Sequence, residues 1–234
     1  MAVVANAFGE ALRLLTSFDA ELMSIVGLSL QVSLGALFIA AVIGLPFGAA
    51  LALYEFPGRR SITVFLNALM GLPPVVVGLF VYLALSRAGP FGFLELLFTP
   101  TAMVIAQTIL ITPIIAALTR QLVEDLWREY GEQLRSLGSG AGRAIPTLLW
   151  DGRYALITVL LAGLGRAMAE VGAVMIVGGN IAGFTRVMTT SIALETSKGN
   201  LSLALGLGIV LMLLALIVNA AAYLVRETAA RQLG

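Results

Sequence analysis

The chain has no cysteine and no histidine among its 234 residues, and Lys198 is its only lysine. Without Cys or His there is no thiolate or imidazole for structural zinc, haem or a redox pair, and no Ser/His/Asp or Cys/His nucleophile system. Lys198 lies in SKGN, away from any glycine-rich turn, so no phosphate-binding loop of the GxxxxGK[ST] kind is present. If ATP drives the protein, another chain hydrolyses it, and this chain carries no catalytic residues, no cofactor and no metal site of its own. Charge is scarce too. Only 12% of residues are Asp, Glu, Lys or Arg, with a net charge of +1 and no basic stripe, which argues against nucleic acid as a partner. The first residues lack a basic region ahead of a short apolar core, so no removable signal peptide is expected.

Apolar residues dominate instead. Hydrophobic residues make up 59% of the chain and the mean hydropathy is +1.00, more apolar surface than a soluble domain of this length hides. An all-α integral membrane protein, embedded in a lipid bilayer, is expected. Runs of about 20 apolar residues mark five spans: 24–54, 61–86, 101 to about 123, 154–177 and 201–225. Gly44 and Gly48, spaced by four around Pro46, offer a small face for close helix contact. Pro73 and Pro74 interrupt the second span, read as a static kink or as a flexing point beside a pore. Arg59, Arg60, Arg120, Arg128, Arg135, Arg143, Arg153, Arg226 and Arg231 outnumber Arg13, Arg87, Arg186 and Lys198 on alternate sides. Basic residues are retained in the cytoplasm, so the N-terminus is expected outside and the C-terminus inside. Residues 1–22, with Phe8, Leu12, Leu15 and Leu22 at roughly helical spacing, are read as an amphipathic segment on the outer side or a frayed terminus. Residues 23–227 form the membrane domain and 228–234 a cytoplasmic tail. No internal repeat is seen, which counts against a carrier with inverted halves.

One polar stretch stands out, YGEQLRSLGSGAGRAIPTLLWD from Tyr130 to Asp151. From Val123, the residues Trp127, Tyr130, Leu134 and Leu137 follow helical spacing with charges on the other faces, so an amphipathic helix leaves the membrane there. It stops at Gly138-Ser139-Gly140-Ala141-Gly142, and a second helix over 143–150 returns. Within this segment, about 124–151, Glu132 is followed six residues later by Gly138 and then by Leu148 and Trp150. This resembles the EAA loop of ABC importer permeases, although Gln133 and Leu134 stand where that family has alanines and Asp151 stands in place of proline. The alternative is a solvated interhelical loop.

The fourth span ends in GRAMAEVGAVMIVGGNIAGFTR, where Arg166 and Glu170 are read as one helical turn apart and on one face. Charges at membrane depth are costly. The pair is read either as a lining of the path or gate or as an internal ion pair that locks packing. Gly179 to Asn200 is rich in hydroxyls, able to bind an oxyanion or simply polar as outer loops are. The run through VMTTSIALETSKGN is similar to the molybdate, tungstate and sulfate permeases, most of all to the tungstate-type branch. That resemblance implies the type I ABC importer permease architecture with a cytoplasmic coupling helix. It also implies a homodimer, a cytoplasmic ATP-binding subunit that holds ATP and Mg, an extracytoplasmic oxyanion-binding protein, and import of tungstate, with molybdate or sulfate as other possible solutes. Glu132, Leu137, Gly138, Ser139, Gly140 and Leu148 would couple to the ATPase, and Pro73, Pro74, Arg166, Glu170 and Asn180 would line or gate the path. The rival readings are a secondary carrier or channel using Arg166 and Glu170 as a relay, and a membrane scaffold.

Overall fold

The computed structural model describes residues 9, 13, 16 and 17 and the continuous stretch 19–233. Phe8, Leu12 and Leu15, which carry the expected N-terminal amphipathic pattern, lie outside the described residues. Among the described residues the regular structure is helical throughout: α1 (Ala20–Leu53), α2 (Arg59–Met70), α3 (Pro74–Leu85), a 3-10 turn (Gly92–Leu94), α4 (Pro100–Ser136), α5 (Ala141–Asp151), α6 (Arg153–Met168), α7 (Gly172–Gly178), α8 (Met188–Lys198) and α9 (Leu201–Leu233). The all-α expectation holds. Three helices, α1, α4 and α9, are long and apolar enough to cross a membrane, and the number rises to five if the bent pairs α2–α3 and α5–α6 each count as one span.

Two expected spans differ from single helices. The second is broken, because α2 closes on Gly71 and Pro73 is extended (φ −64°, ψ 122°) before Pro74 opens α3. A residue that precedes proline is driven out of the helical region, and two prolines in series therefore give a break rather than the expected kink. The fourth, expected to run unbroken to Val177, stops at Met168 and restarts at Gly172. Pro46, by contrast, sits inside an uninterrupted α1. The last helix outlasts the expected span, and residues expected as a tail continue α9 to Leu233.

The chain divides into two compact units. The first holds residues 1–36, 73–107 and 167–217. Asp19 opens α1 by accepting the Leu22 N–H on its carboxylate (3.0 Å), which satisfies one donor of the first turn. Leu22 and Ile25 then pack with Met188, Leu203 and Leu207, joining α1 to α8 and α9. Helices α3 and α7 lie against each other at Gly78, where an added Cβ would come within 2.7 Å of the Ala173 Cα.

The second unit holds 37–72, 108–166 and 218–234. Gly44 and Gly48 do make the expected close contact, against Ile115 and Ala116 of α4. A Cβ on Gly48 would overlap the Ala116 carbonyl oxygen. Ala49, Ala52 and Leu53 continue the seam onto Val123 of α4 and Ala144 and Leu148 of α5. Large apolar side chains remain exposed on several helices, among them Phe38 and Val42 of α1, Phe65 of α2, Phe80 of α3 and Leu216 of α9. A surface of that kind is the one lipid solvates.

Candidate functional site

The polar segment after α4 folds as a helical hairpin. Leu134 and Arg135 end the helix in a Schellman arrangement: the Ser139 N–H donates to Leu134 O (2.8 Å) and the Gly138 N–H to Arg135 O (2.9 Å). Gly138 adopts φ +75°, which glycine reaches without the penalty a Cβ brings. Arg143 reaches back to the Gly138 carbonyl (2.7 Å) and closes the turn. Across it, Tyr54 at the end of α1 sits so close to Gly142 that an added Cβ would lie 2.8 Å from the phenolic oxygen.

The hairpin presents a distinctive surface. Glu132, Gly138 and Gly140 are exposed and Ser139 is half-buried. Leu137 is 82% exposed and Trp150 72% exposed, two large apolar side chains on an otherwise polar segment. Leu148, the sixth of the residues expected to couple to the ATPase, is not on this surface. It is buried in the cluster with Ala49, Leu53, Val123 and Ala144, because α5 turns the face of Ala144 and Leu148 inward. Trp150, two residues further along α5, carries the apolar surface on that side. Arg153 lies over the Trp150 and Tyr154 rings at 5.2 and 4.6 Å.

A charged clasp at the base of the hairpin was not anticipated. The Arg59 guanidinium donates to Leu51 O (2.8 Å), Ala52 O (2.9 Å) and Glu124 Oε1 (2.6 Å), while Arg120 reaches Glu124 Oε2 at 2.6 Å. Arg59 and Glu124 are 65 positions apart, so no local pattern joins them. A cleft of about 560 Å³ opens beside the clasp, lined by Arg59, Glu124, Trp127, Arg135, Ser139 and Gly140.

The residues expected along a path fall into separate elements. Pro73 and Pro74 form the α2–α3 break. Arg166 occupies the last turn of α6, where a positive charge complements the helix C-terminus. Glu170 lies after α6 has ended, so the two do not share a helical face as read from their spacing. Glu170 is buried, and its carboxylate accepts the Ala173 N–H (3.2 Å) at the start of α7. The backbone groups freed at this break are taken up by side chains distant in sequence. The Gln107 amide donates to Ala167 O (3.1 Å), and the Thr189 hydroxyl donates to Glu170 O (2.8 Å). Ser29, Ser33, Gln107, Glu170 and Thr189 surround a cavity of about 10 Å³. That is room for one water at most, so this conformation offers no solute site there.

The hydroxyl-rich stretch after α7 is committed to its own fold. Thr185 donates to Gly178 O (2.5 Å) and accepts from the Ile181 N–H (2.9 Å). Asn180, at φ +52°, accepts the Thr190 hydroxyl on Oδ1 (2.9 Å) and donates Nδ2 to Thr190 O (3.4 Å). Glu195, buried in α8, takes hydrogen bonds from Lys198 Nζ (2.9 Å) and Asn200 Nδ2 (2.9 Å). The bond from Lys198 outweighs the upward push of burial and, with Asn200, holds this carboxyl below the usual carboxylate range.

Comparison with known proteins adds the lineage. The chain is 41% identical to a tungstate uptake system permease protein TupB of Peptoclostridium acidaminophilum over 227 residues, covering 97% of this chain and 100% of that protein. It is also 41% identical to a probable anion ABC transporter permease protein of Haloferax volcanii (85% of this chain, 88% of the relative). A second tungstate uptake permease, from Campylobacter jejuni, is 36% identical (95% and 93%). With residues 44–229 matching the pattern of the binding-protein-dependent transport system inner membrane component, the chain belongs to that family of multi-pass inner-membrane proteins.

Proposed function

We propose that the chain is the membrane permease of an ATP-driven importer for a tetrahedral oxyanion, with tungstate the preferred solute. The observation that carries this reading is the hairpin from α4 to α5, where Leu137 is exposed at the glycine turn, Trp150 is exposed at the far end of α5, and Glu132 is exposed near the end of α4. Apolar side chains on a polar, tightly closed hairpin suit a groove on a partner protein. Two relatives above are named tungstate uptake permeases, which supports the choice of solute. The family assignment leaves the carrier or channel reading without support.

In this reading two copies of the chain pair, each docks a cytoplasmic ATP-binding subunit that holds ATP and Mg, and an extracytoplasmic protein delivers the anion. Glu132, Leu137, Gly138, Ser139 and Gly140 form the docking surface, and Leu148 holds α5 in place from within. Closure of the ATPases moves the hairpin and shifts the membrane helices between two packings of similar energy. Glu170 and its polar neighbours, with Arg166, Pro73, Pro74 and Asn180, belong to the region that must rearrange. The 10 Å³ cavity beside Glu170 is then a closed state of that region.

The test is affinity purification of the tagged chain from its native membrane, alongside Gly138→Asp, with the co-purifying proteins identified. A side chain at φ +75° strains the turn, so the variant is expected to lose an ATP-binding subunit that the wild type retains. No ATP-binding protein with the intact wild type would overturn the importer reading. Titration of the external binding protein with tungstate, molybdate and sulfate then tests the solute.

A further inference from the structure

The clasp of Arg59, Glu124 and Arg120 has a geometry that the proposed docking surface does not require. A helix leaves its last carbonyls without partners, and α1 has neither a basic residue in its last turn nor a glycine cap at Leu53. Arg59, at the start of α2, supplies the missing donors to Leu51 and Ala52, and with the same guanidinium grips Glu124 of α4. Glu124 is held again by Arg120, one helical turn back. The three side chains are 29%, 20% and 18% exposed, so their charges are largely out of water and neither partner is easily replaced by solvent. Glu124 adjoins Val123, whose side chain is buried with Leu53 of α1 and with Ala144 and Leu148 of α5. Eight residues further along the same unbroken α4 lies Glu132 of the hairpin. The end of α1, the emerging part of α4 and the returning α5 are thereby tied at one point.

We propose that Arg59 and Glu124 are positioning residues for energy coupling, through which a displacement of the α4–α5 hairpin is delivered to the end of α1. The inference rests on the importer reading and deepens it. A purely apolar seam could slide when α4 moves, whereas a guanidinium bonded at once to the carbonyls of one helix and the carboxylate of another fixes their register. Glu124→Gln removes the charge but keeps the shape, and Arg59→Lys keeps the charge but cannot bond both helices in the same forked geometry.

The experiment uses the complete transporter, chain with ATP-binding subunit and binding protein, in proteoliposomes supplied with tungstate. Uptake and ATP hydrolysis are measured together for the wild type, Glu124→Gln, Arg59→Lys and the control Arg128→Gln, whose partner Asp125 lies on the same helix in an exposed pair. Both clasp variants are expected to keep the ATP-binding subunit and hydrolyse ATP near the wild-type rate. Anion taken up per ATP falls about five-fold, a shift within the usual range for coupling between sites. The control keeps the wild-type ratio. A proportional fall of uptake and hydrolysis, or no change in either, overturns the proposal. Loss of assembly in both variants with the control intact also overturns it, since the clasp would then hold the fold rather than relay motion. A wild type that hydrolyses no ATP and takes up no anion defeats the importer reading instead.

Discussion

Asn180 holds a left-handed backbone (φ +52°) that asparagine tolerates better than most residues, and its amide spends both ends on Thr190. Asn180→Ala therefore loses two hydrogen bonds in a partly buried site and adds strain, and is expected to cost about 1–3 kcal/mol, read as a lowered thermal midpoint in detergent. Asn180→Gly relieves the strain and should fall between alanine and wild type. Glu195 gives a second residue-scale expectation with a definite sign. Its carboxyl is held below the ordinary range by Lys198 and then Asn200, so its contribution is complete above the unfolded pKa of about 4.3 and declines as the pH falls through the lower folded value. The stability gap between wild type and Glu195→Gln should be open at neutral pH and close progressively below about pH 4. A gap that stays constant across a thermal-unfolding series from neutral to acid pH would show that the carboxylate charge contributes nothing.

At the scale of elements, the α1–α4 seam depends on two glycines more than on any large side chain. Gly48→Val places a side chain where the Ala116 carbonyl stands, and overpacking against backbone is expected to cost about 1–3 kcal/mol. Gly35→Ala meets only the Val104 methyls at 3.6 Å, an ordinary contact, and should be close to neutral. Equal thermal midpoints for the two variants would mean the seam is looser than the backbone spacing indicates. This seam is readable from sequence because spacing four on a helix always puts small residues on one face. The hairpin is readable for a similar reason, since glycines clustered at 138–142 end a helix whatever surrounds them. The break after Met168 is not readable. It contains no proline, and it persists because Gln107, Thr189 and Glu170 satisfy the freed backbone groups from elsewhere in the fold. The inward turn of Leu148 and the grip of Arg59 on Glu124 are equally hidden, because both depend on which elements meet in space rather than on local spacing.

At the scale of the whole molecule, the clustering of its arginines predicts an orientation across the membrane, and the composition makes that prediction unusually easy to measure. With no native cysteine, a single Cys can be placed anywhere without a background signal. Ser136, at the exposed end of α4, lies among Arg128, Arg135 and Arg143, the basic group that the charge rule keeps in the cytoplasm. Ser197, exposed near the end of α8, is on the opposite side in that reading, beside the lone lysine. Both substitutions to Cys are close in size, and the hydroxyls concerned bond only to carbonyls of their own helices, Gln133 O and Leu194 O. In intact cells a membrane-impermeant thiol reagent is expected to label Ser197→Cys and spare Ser136→Cys, with both labelled after permeabilisation. The reverse pattern would put the α4–α5 hairpin outside, where no ATP-driven partner could reach it. Labelling of both positions from one side would require an even number of crossings between them, in place of the odd number that the arginine distribution demands.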